Sequence, residues 1–341
     1  MTANSTRRLR PVAVILLIIL AAYIVIALLP APKNYEGENP MLRDGELPII
    51  IAHRGGRNEF PQNTLEAFYN AYSIDENVIM ETDVNITKDG VLILLHNEYL
   101  DATTNVTGLA SDWNYSDLIS QRVDFGYDNP TVDMQLSGER KYFTVDGEQR
   151  LPTDVKYPEG IEARDTEIYP ATTLEELLVA FPNSRISVEI KQSGEVGLKA
   201  VSEAIRLIEK YDAFDRVILA SFHSDIFKEF RRLDKEGIVP DEFMYSPGIM
   251  GIVKYYLLMM LGLDSLYLDG VTLLQIPMEE YGINFATKRI TRVAKEHNLA
   301  VHYWTVNDEE DMRTLIELGV DGIMTDNPSL LKKVLDEYKG K

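Results

Sequence analysis

Apolar residues in this chain fall into two alternating patterns: short unbroken runs of strand length, and longer stretches with one apolar face. The first run in the body of the chain, Ile49-Ile50-Ile51-Ala52, stops at His53-Arg54-Gly55-Gly56, where paired glycines let backbone approach a ligand closely. Past Pro61, the apolar positions Leu65, Phe68, Ala71 and Tyr72 recur at helical spacing. Asn63 is the expected cap of that helix, with Glu66 at the reciprocal third position. The next run leads from Val78 through Met80 into Glu81-Thr82-Asp83-Val84, and alternation along a strand puts Glu81 and Asp83 on one face. Two carboxylates so placed make half a metal site. Asp89-Gly90 reads as a turn, and Val91 to Leu95 is a buried strand that delivers His96 at its far end.

Residues 98–172 break this alternation with mixed polar sequence and many turn residues. They read as an insertion, hairpin-rich over residues 128–168 and placed above one end of the fold. The patterns resume with a helix from Leu174 to Phe181, capped by Thr172 or Thr173, and a strand from Arg185 to Lys191 in which Glu189 and Lys191 share a face. Helices follow at Glu195–Tyr211, Asp225–Lys235 and Gly248–Leu261, and strands at Val217–Ser221, Glu242–Tyr245, Ser265–Leu268, Ala300–Val306 and Gly322–Thr325. Such alternation predicts a TIM-type (β/α)8 barrel over residues 48–337, with the insertion after the third strand. In that fold the carboxyl ends of the strands collect catalytic groups, and His53, Glu81, Asp83 and His96 fall there. One connection resists the scheme, because the seven residues between Asp83 and Val91 are too few for a helix crossing between parallel strands.

Ahead of this body, Arg7, Arg8 and Arg10 precede an uncharged run from Pro11 to Leu29, long enough at about 1.5 Å per residue for a ~30 Å hydrocarbon core. The run exceeds the ~7 to 15 apolar residues of a cleaved signal, and prolines flank the one small residue in Leu29-Pro30-Ala31-Pro32. Residues 11–29 are therefore expected to form an uncleaved transmembrane helix, residues 1–10 a basic cytoplasmic tail, and the main domain an extracytoplasmic unit at the cell membrane. Pro30, Pro32, Pro40 and Pro48, with Gly37 and Gly45, make residues 30–47 an extended linker. The formal net charge of −20 over 341 residues argues against nucleic acid as a partner. The absence of cysteine excludes disulfides, zinc thiolates and thiol nucleophiles. No obligatory protein partner is expected.

In order and spacing, His53-Arg54-Gly55, Pro61-Gln62-Asn63-Thr64, Glu81-x-Asp83, Thr87-x-Asp89-Gly90 and His96 resemble the glycerophosphodiester phosphodiesterases. Thr103-Thr104-Asn105, Glu189-Ile190-Lys191, Trp304-Thr305-Val306-Asn307 and the run from Asp321 to Asp326 look like later pieces of that family. The resemblance covers roughly residues 49–335 apart from the insertion. It implies a metal-dependent hydrolase that splits small glycerophosphodiesters into sn-glycerol 3-phosphate and an alcohol. It also implies His53 and His96 as catalytic residues, Glu81, Asp83 and Glu189 as metal ligands, and Trp304 as an aromatic contacting substrate.

Elementary chemistry is consistent with those roles. Phosphodiester cleavage needs one base and one acid titrating near neutrality, which suits a histidine pair. Buried carboxylates without compensation are costly, and an all-oxygen ligand set suits Ca2+ or Mg2+ rather than zinc. Arg54 and Lys191 are candidate phosphate clamps. Asn63 is a further candidate for substrate binding, although a helix cap already explains it. Gln62 and Asn97 stand where the family usually has glutamate and aspartate. His223, His297 and His302 read as structural, with His297 on a helix surface. Two rivals remain: a related phosphodiesterase acting on lysophospholipid or sphingolipid head groups, and a membrane-tethered binding domain without chemistry. The apolar helix near Ile249–Leu263 keeps the first open, against its plainer reading as an outer helix packed on the barrel.

Overall fold

The computed structural model describes residues 5–129, 134 and 137–339, with side chains from residue 12 onward. Among these, parallel strands β1 (Ile49–Ala52), β2 (Ile79–Ile86), β4 (Ile186–Ile190), β5 (Val217–Ala220), β6 (Met244–Tyr245), β7 (Leu273–Ile276), β8 (Ala300–Tyr303) and β9 (Gly322–Thr325) lie side by side in the order β6-β5-β4-β2-β1-β9-β8-β7. The seam between β6 and β7 is bridged where Thr272 N donates to Tyr245 O at 3.0 Å. The result is a nearly closed α/β barrel. Its strands read as unbroken apolar runs because both faces are covered: one by the barrel interior, the other by helices. Ile49, Ile51, Ile79, Ile218, Met244, Leu273, Ala300 and Met324 fill the interior toward the foot. The alternate residues, such as Ile50, Met80, Val188 and Leu219, pack outward in the larger core.

The connection too short for a crossover is a hairpin. Strand β3 (Leu92–Leu94) pairs antiparallel with β2, with Val84 opposite Leu94 and Ile86 opposite Leu92. It is not a stave, so the insertion falls between the second and third staves rather than after a third. This reversal brings the chain back down onto the mouth and sets His96 there. The insertion has its own small core around Leu100, Leu118, Phe125 and Tyr169. Arg164 ties it to the barrel by ion pairs to Glu66 at 3.2 Å and Glu176 at 3.3 Å. A short hairpin joins Thr144–Val145 to Glu148–Gln149.

Several local expectations are corrected. Helix α2 (Leu65–Ile74) is capped by Thr64, which accepts from Ala67 N at 3.2 Å, and not by Asn63, whose φ of 59° turns it away. Glu66 therefore has no reciprocal capping partner and serves Arg164 instead. Helix α4 (Leu174–Ala180) does carry the full capping box, with Thr173 as cap and Glu176 reaching back. Residues 265–268 are not a strand. Asp264–Leu266 is a 3-10 turn, and the stave forms at Leu273–Ile276, where both faces can be buried.

The proline-rich stretch 30–47 is irregular, as its prolines require, yet it is no free spacer. Asn34 Nδ2 donates to Tyr267 O (3.2 Å), Asn39 Nδ2 donates to Thr272 O (2.7 Å) and Asn298 O (2.8 Å), and buried Met41 plugs the barrel foot. Prolines rule out ladders but not anchoring by side chains. The same strap buries His297 completely, against the expectation of a surface position, and its ring bonds Pro32 O at 3.0 Å and Asp264 at 3.1 Å.

Helix α1 (Ser5–Ala27) meets the body at its last turns, where Tyr23 Oη donates to Leu261 O (2.8 Å) and Ser265 Oγ donates to Ile26 O (2.8 Å). Among the described residues no helix is long and apolar enough to cross a membrane. The expected basic tail and the start of the expected span lie outside the residues whose side chains are described.

Candidate active site

The carboxyl ends of β1, β2, β4 and β9, with the end of β3, converge on one cavity of about 230 Å³. His53, Arg54, Glu81, His96, Glu189, Lys191 and Trp304 line it. Seven of the nine residues singled out in the sequence therefore line one cavity, and the other two lie directly against them. Asp83, 1% exposed, sits behind Glu81 on the same strand face, and Asn63 holds it. Asn63 Nδ2 donates to Asp83 Oδ2 at 3.1 Å, while Asn63 Oδ1 accepts from Thr82 Oγ1 at 2.8 Å. Asn63 is thus a brace for an acidic residue rather than a helix cap.

Register explains the carboxylate cluster. Asp83 and Glu189 are Cα partners across the β2–β4 ladder, and Glu81 lies two residues before Asp83 on the same face. One oxygen from each of Glu81, Asp83 and Glu189 falls within 4.8 Å of the others. Such crowding is electrostatically unfavourable, and its effects differ by residue. Burial, reinforced by the Asp83 charge, pushes Glu81 well above the ordinary carboxylate range. The same causes lift Glu189 to about 7. Asp83 goes the other way: burial would raise it, but Arg54, Lys191 and the two histidines together hold it far below its ordinary value. Arg54 Nε lies 3.2 Å from Asp83 Oδ2, and Lys191 Nζ lies 3.5 Å from Asp83 and 3.0 Å from Glu189. Two cations thus face three carboxylates. An all-oxygen donor set, close-packed and short of positive charge, fits a hard divalent cation.

The histidines have different partners behind them. His53 Nδ1 pairs with Asp326 Oδ1 at 2.5 Å, and Asp326 is itself held by Asn307 Nδ2 at 2.8 Å. His96 Nδ1 pairs with the neutral amide oxygen of Asn97 at 2.7 Å. Burial lowers both rings, with Asp326 opposing the shift at His53 and Asp83 opposing it at His96, which falls to about 4. The neighbouring Asn97 adds no charge, whereas Asp326 is a carboxylate. At the cavity rim Trp304 and Phe222 meet edge to face with ring centroids 5.8 Å apart, and Lys191 Nζ lies 5.9 Å from the centre of the Phe222 ring.

Sequence reasoning left several wall residues without a role. Asp326 closes a family-like motif, yet nothing local shows that it backs His53, because 273 positions separate the two residues. Ser187, Ser246 and Gln275 form a polar floor, in which Gln275 donates to Ser187 at 3.1 Å and accepts from Ser246 at 2.9 Å. They come from three staves, and no spacing signals the network. Phe222, which lines the cavity, carries no sequence signal of its own, and the ring of its neighbour His223 bonds Lys191 O at 2.9 Å, a structural role. A larger cleft of about 820 Å³ at the opposite end, near Arg43, Arg185 and Lys332, holds none of these groups.

A parallel barrel with two histidines, three clustered carboxylates and two cations at its carboxyl end has the layout of a phosphoester hydrolase. The chain belongs to the glycerophosphoryl diester phosphodiesterase family, whose pattern matches residues 53–330. It is 26% identical over 295 residues to a glycerophosphodiester phosphodiesterase of Bacillus altitudinis, spanning 85% of this chain and 99% of that protein. A glycerophosphodiester phosphodiesterase of Caldanaerobacter subterraneus is 27% identical over 284 residues, with 83% and 96% covered. Among solved structures, an Oleispira antarctica phosphodiesterase in complex with the product sn-glycerol-3-phosphate shares the fold, with a TM-score of 0.59, 19% identity, and 85% and 97% of the two chains aligned.

Proposed function

We propose that hydrolysis of glycerophosphodiesters to sn-glycerol 3-phosphate and an alcohol, the reaction of this enzyme class, proceeds here at a divalent-cation site served by two histidines. The observation that carries the reading is the carboxylate cluster, two members of which line the same cavity as His53 and His96. Glu81, Asp83 and Glu189 would hold Ca2+ or Mg2+, which when bound supplies positive charge to a phosphoryl oxygen. Arg54 and Lys191 stand where they can bind the remaining phosphate charge. His53, backed by a carboxylate, is fitted to carry a proton to the leaving oxygen, and His96, backed by a neutral amide, is fitted to accept one from the nucleophile. Trp304 and Phe222 offer an apolar wall to the carbon skeleton beside the phosphate. The product complex of the Oleispira antarctica protein and the names of the bacterial relatives support the substrate class. The test is a product assay on the purified chain with choline, ethanolamine and glycerol diesters. Release of glycerol 3-phosphate that stops on chelation and returns with Ca2+ or Mg2+ is expected. Turnover indifferent to chelator would remove the cation from the reading.

Three arginines ahead of the uncharged run Pro11–Leu29 support a single membrane pass with the N-terminus inside and the barrel outside. External protease on intact cells should remove the domain. A mature N-terminus near Ala31 would exclude the anchor.

A further inference from the structure

Helix α7 (Ile249–Leu261) follows β6 on the outside of the barrel and has one charged residue, Lys254, in thirteen. Its inner side is settled, with Gly251, Tyr255 and Met259 buried in the core. Its outer side carries Met250 (71% exposed), Val253 (41%), Leu257 (53%) and Leu261 (58%), a stripe at helical spacing that the described residues leave open to solvent. The Lys254 ammonium is drawn off this stripe by Asp269 at 2.7 Å. Leu266 and Leu268, both exposed, continue the apolar surface past the helix.

Both ends of the stripe lead somewhere. At its foot, the carbonyl of Leu261 accepts from Tyr23 of the N-terminal helix, and the next turn is bonded to Ile26 through Ser265. The residues of that helix from Val12 to Val25 are themselves largely exposed and apolar. At its head, Pro247 and Ile252 line the catalytic cavity beside Phe222. An apolar strip therefore runs from the N-terminal helix to the mouth of the site.

We infer that the outer face of this helix lies on the surface of a lipid bilayer, holding the catalytic mouth at the level of the head groups. The inference rests on the anchoring reading given under the proposed function. A second copy of this chain is the poorer occupant, since each copy has a formal net charge of −20 and pairing would oppose that charge. The basic groups beside the stripe already have partners, Lys254 in Asp269 at 2.7 Å and Arg289 in Met259 O at 2.6 Å, so the contact is chiefly apolar and should tolerate both zwitterionic lipid and raised salt.

The chain contains no cysteine, so a single label site is clean. The full chain bearing Leu257→Cys, or Glu209→Cys at an exposed position of the helix Gly194–Lys210 as control, is labelled with a polarity-sensitive dye and reconstituted with phosphatidylcholine vesicles. Vesicle flotation reads the anchor by itself. The expected result is flotation of both proteins, a blue shift at position 257 that nitroxide lipids quench at low and high salt, and neither effect at 209. In a second background, Met250→Gln with Val253→Gln should abolish the shift at 257 while flotation and turnover of soluble glycerophosphocholine persist. Flotation with a water-exposed dye at 257 would overturn the inference and leave the anchor standing. Failure to float would remove both. Cross-linking of two copies through position 257, without lipid quenching, would assign the face to self-association and overturn it as well.

Discussion

The two ends of the barrel solve the problem of buried polarity in opposite ways. At the foot, Asn34 and Asn39 donate to backbone carbonyls of the barrel, His297 has two oxygen partners, and Met41 fills the remaining space with an apolar side chain. At the mouth, three carboxylates are brought within 4.8 Å of one another against two cations, and two of them are pushed well above their ordinary range. Satisfied groups stabilise the fold without further help. Crowded like charges do not, and they persist only because the ladder between β2 and β4 and the brace from Asn63 over-determine their positions. The asparagines and His297 at the foot find their partners within the folded chain, whereas the carboxylates at the mouth have a charge that a bound cation would balance.

That contrast can be tested by perturbing each end and reading both activity and stability. The largest effect is expected at the mouth: His53→Ala or His96→Ala should lower kcat by roughly 10² to 10⁴-fold, the range for losing a general acid or base, with the metal-induced rise in Tm retained. A histidine variant with near-native kcat would remove that residue from proton transfer. Asp326→Asn should cost at least about tenfold in kcat with little change in KM, because it leaves His53 without the carboxylate that orients it and supports its charge. The pH-rate profile separates this from simple loosening, since only a role through His53 moves the limb belonging to that ring.

At the foot the signature should reverse. Met41→Ala should lower stability by about 2 to 4 kcal/mol, the usual cost of emptying a buried methionine site, and lower Tm by several degrees. Below the melt, kcat should stay unchanged. A large loss of kcat at full stability would mean that the strap communicates with the site.

The smallest effect is the one most specific to the crowded carboxylates. Glu189 titrates near 7 when folded against an ordinary 4.5, so between those values the folded chain keeps a proton that the unfolded chain has lost. Metal-free stability must therefore fall as pH rises through that window, and Glu189→Gln should flatten the fall. Cation binding must expel the same proton, so the metal-induced rise in Tm should grow from pH 6 to pH 8. Melts at several pH values, with chelator or with Ca2+ or Mg2+, check both signs. A metal effect that shrinks with rising pH would contradict the cluster as the binding site.

The sequence by itself determined which residues meet at the mouth, because the features involved are local. Period-two alternation put Glu81 and Asp83 on one face, and apolar runs ended at His53, near Glu189 and at His96. Family-like motifs then tied these segments together. Those same local rules could not see what lies across the barrel. Asn63 looked like a cap because the helix began next to it, but a positive φ and the nearby Asp83 carboxylate made it a brace while Thr64 took the cap. The short link to His96 made no sense as a crossover, since only pairing in space shows that β3 turns back antiparallel on β2. Composition made residues 30–47 an extended linker, whereas Asn34 and Asn39 found partners more than 200 positions away and Met41 joined the barrel interior. His297 followed them into the interior. Asp326 behind His53 and the polar floor of Ser187, Ser246 and Gln275 belong to the same class of fact. Periodicity specifies a face, but a partner is specified only when the closed barrel brings distant strand ends to within hydrogen-bonding distance.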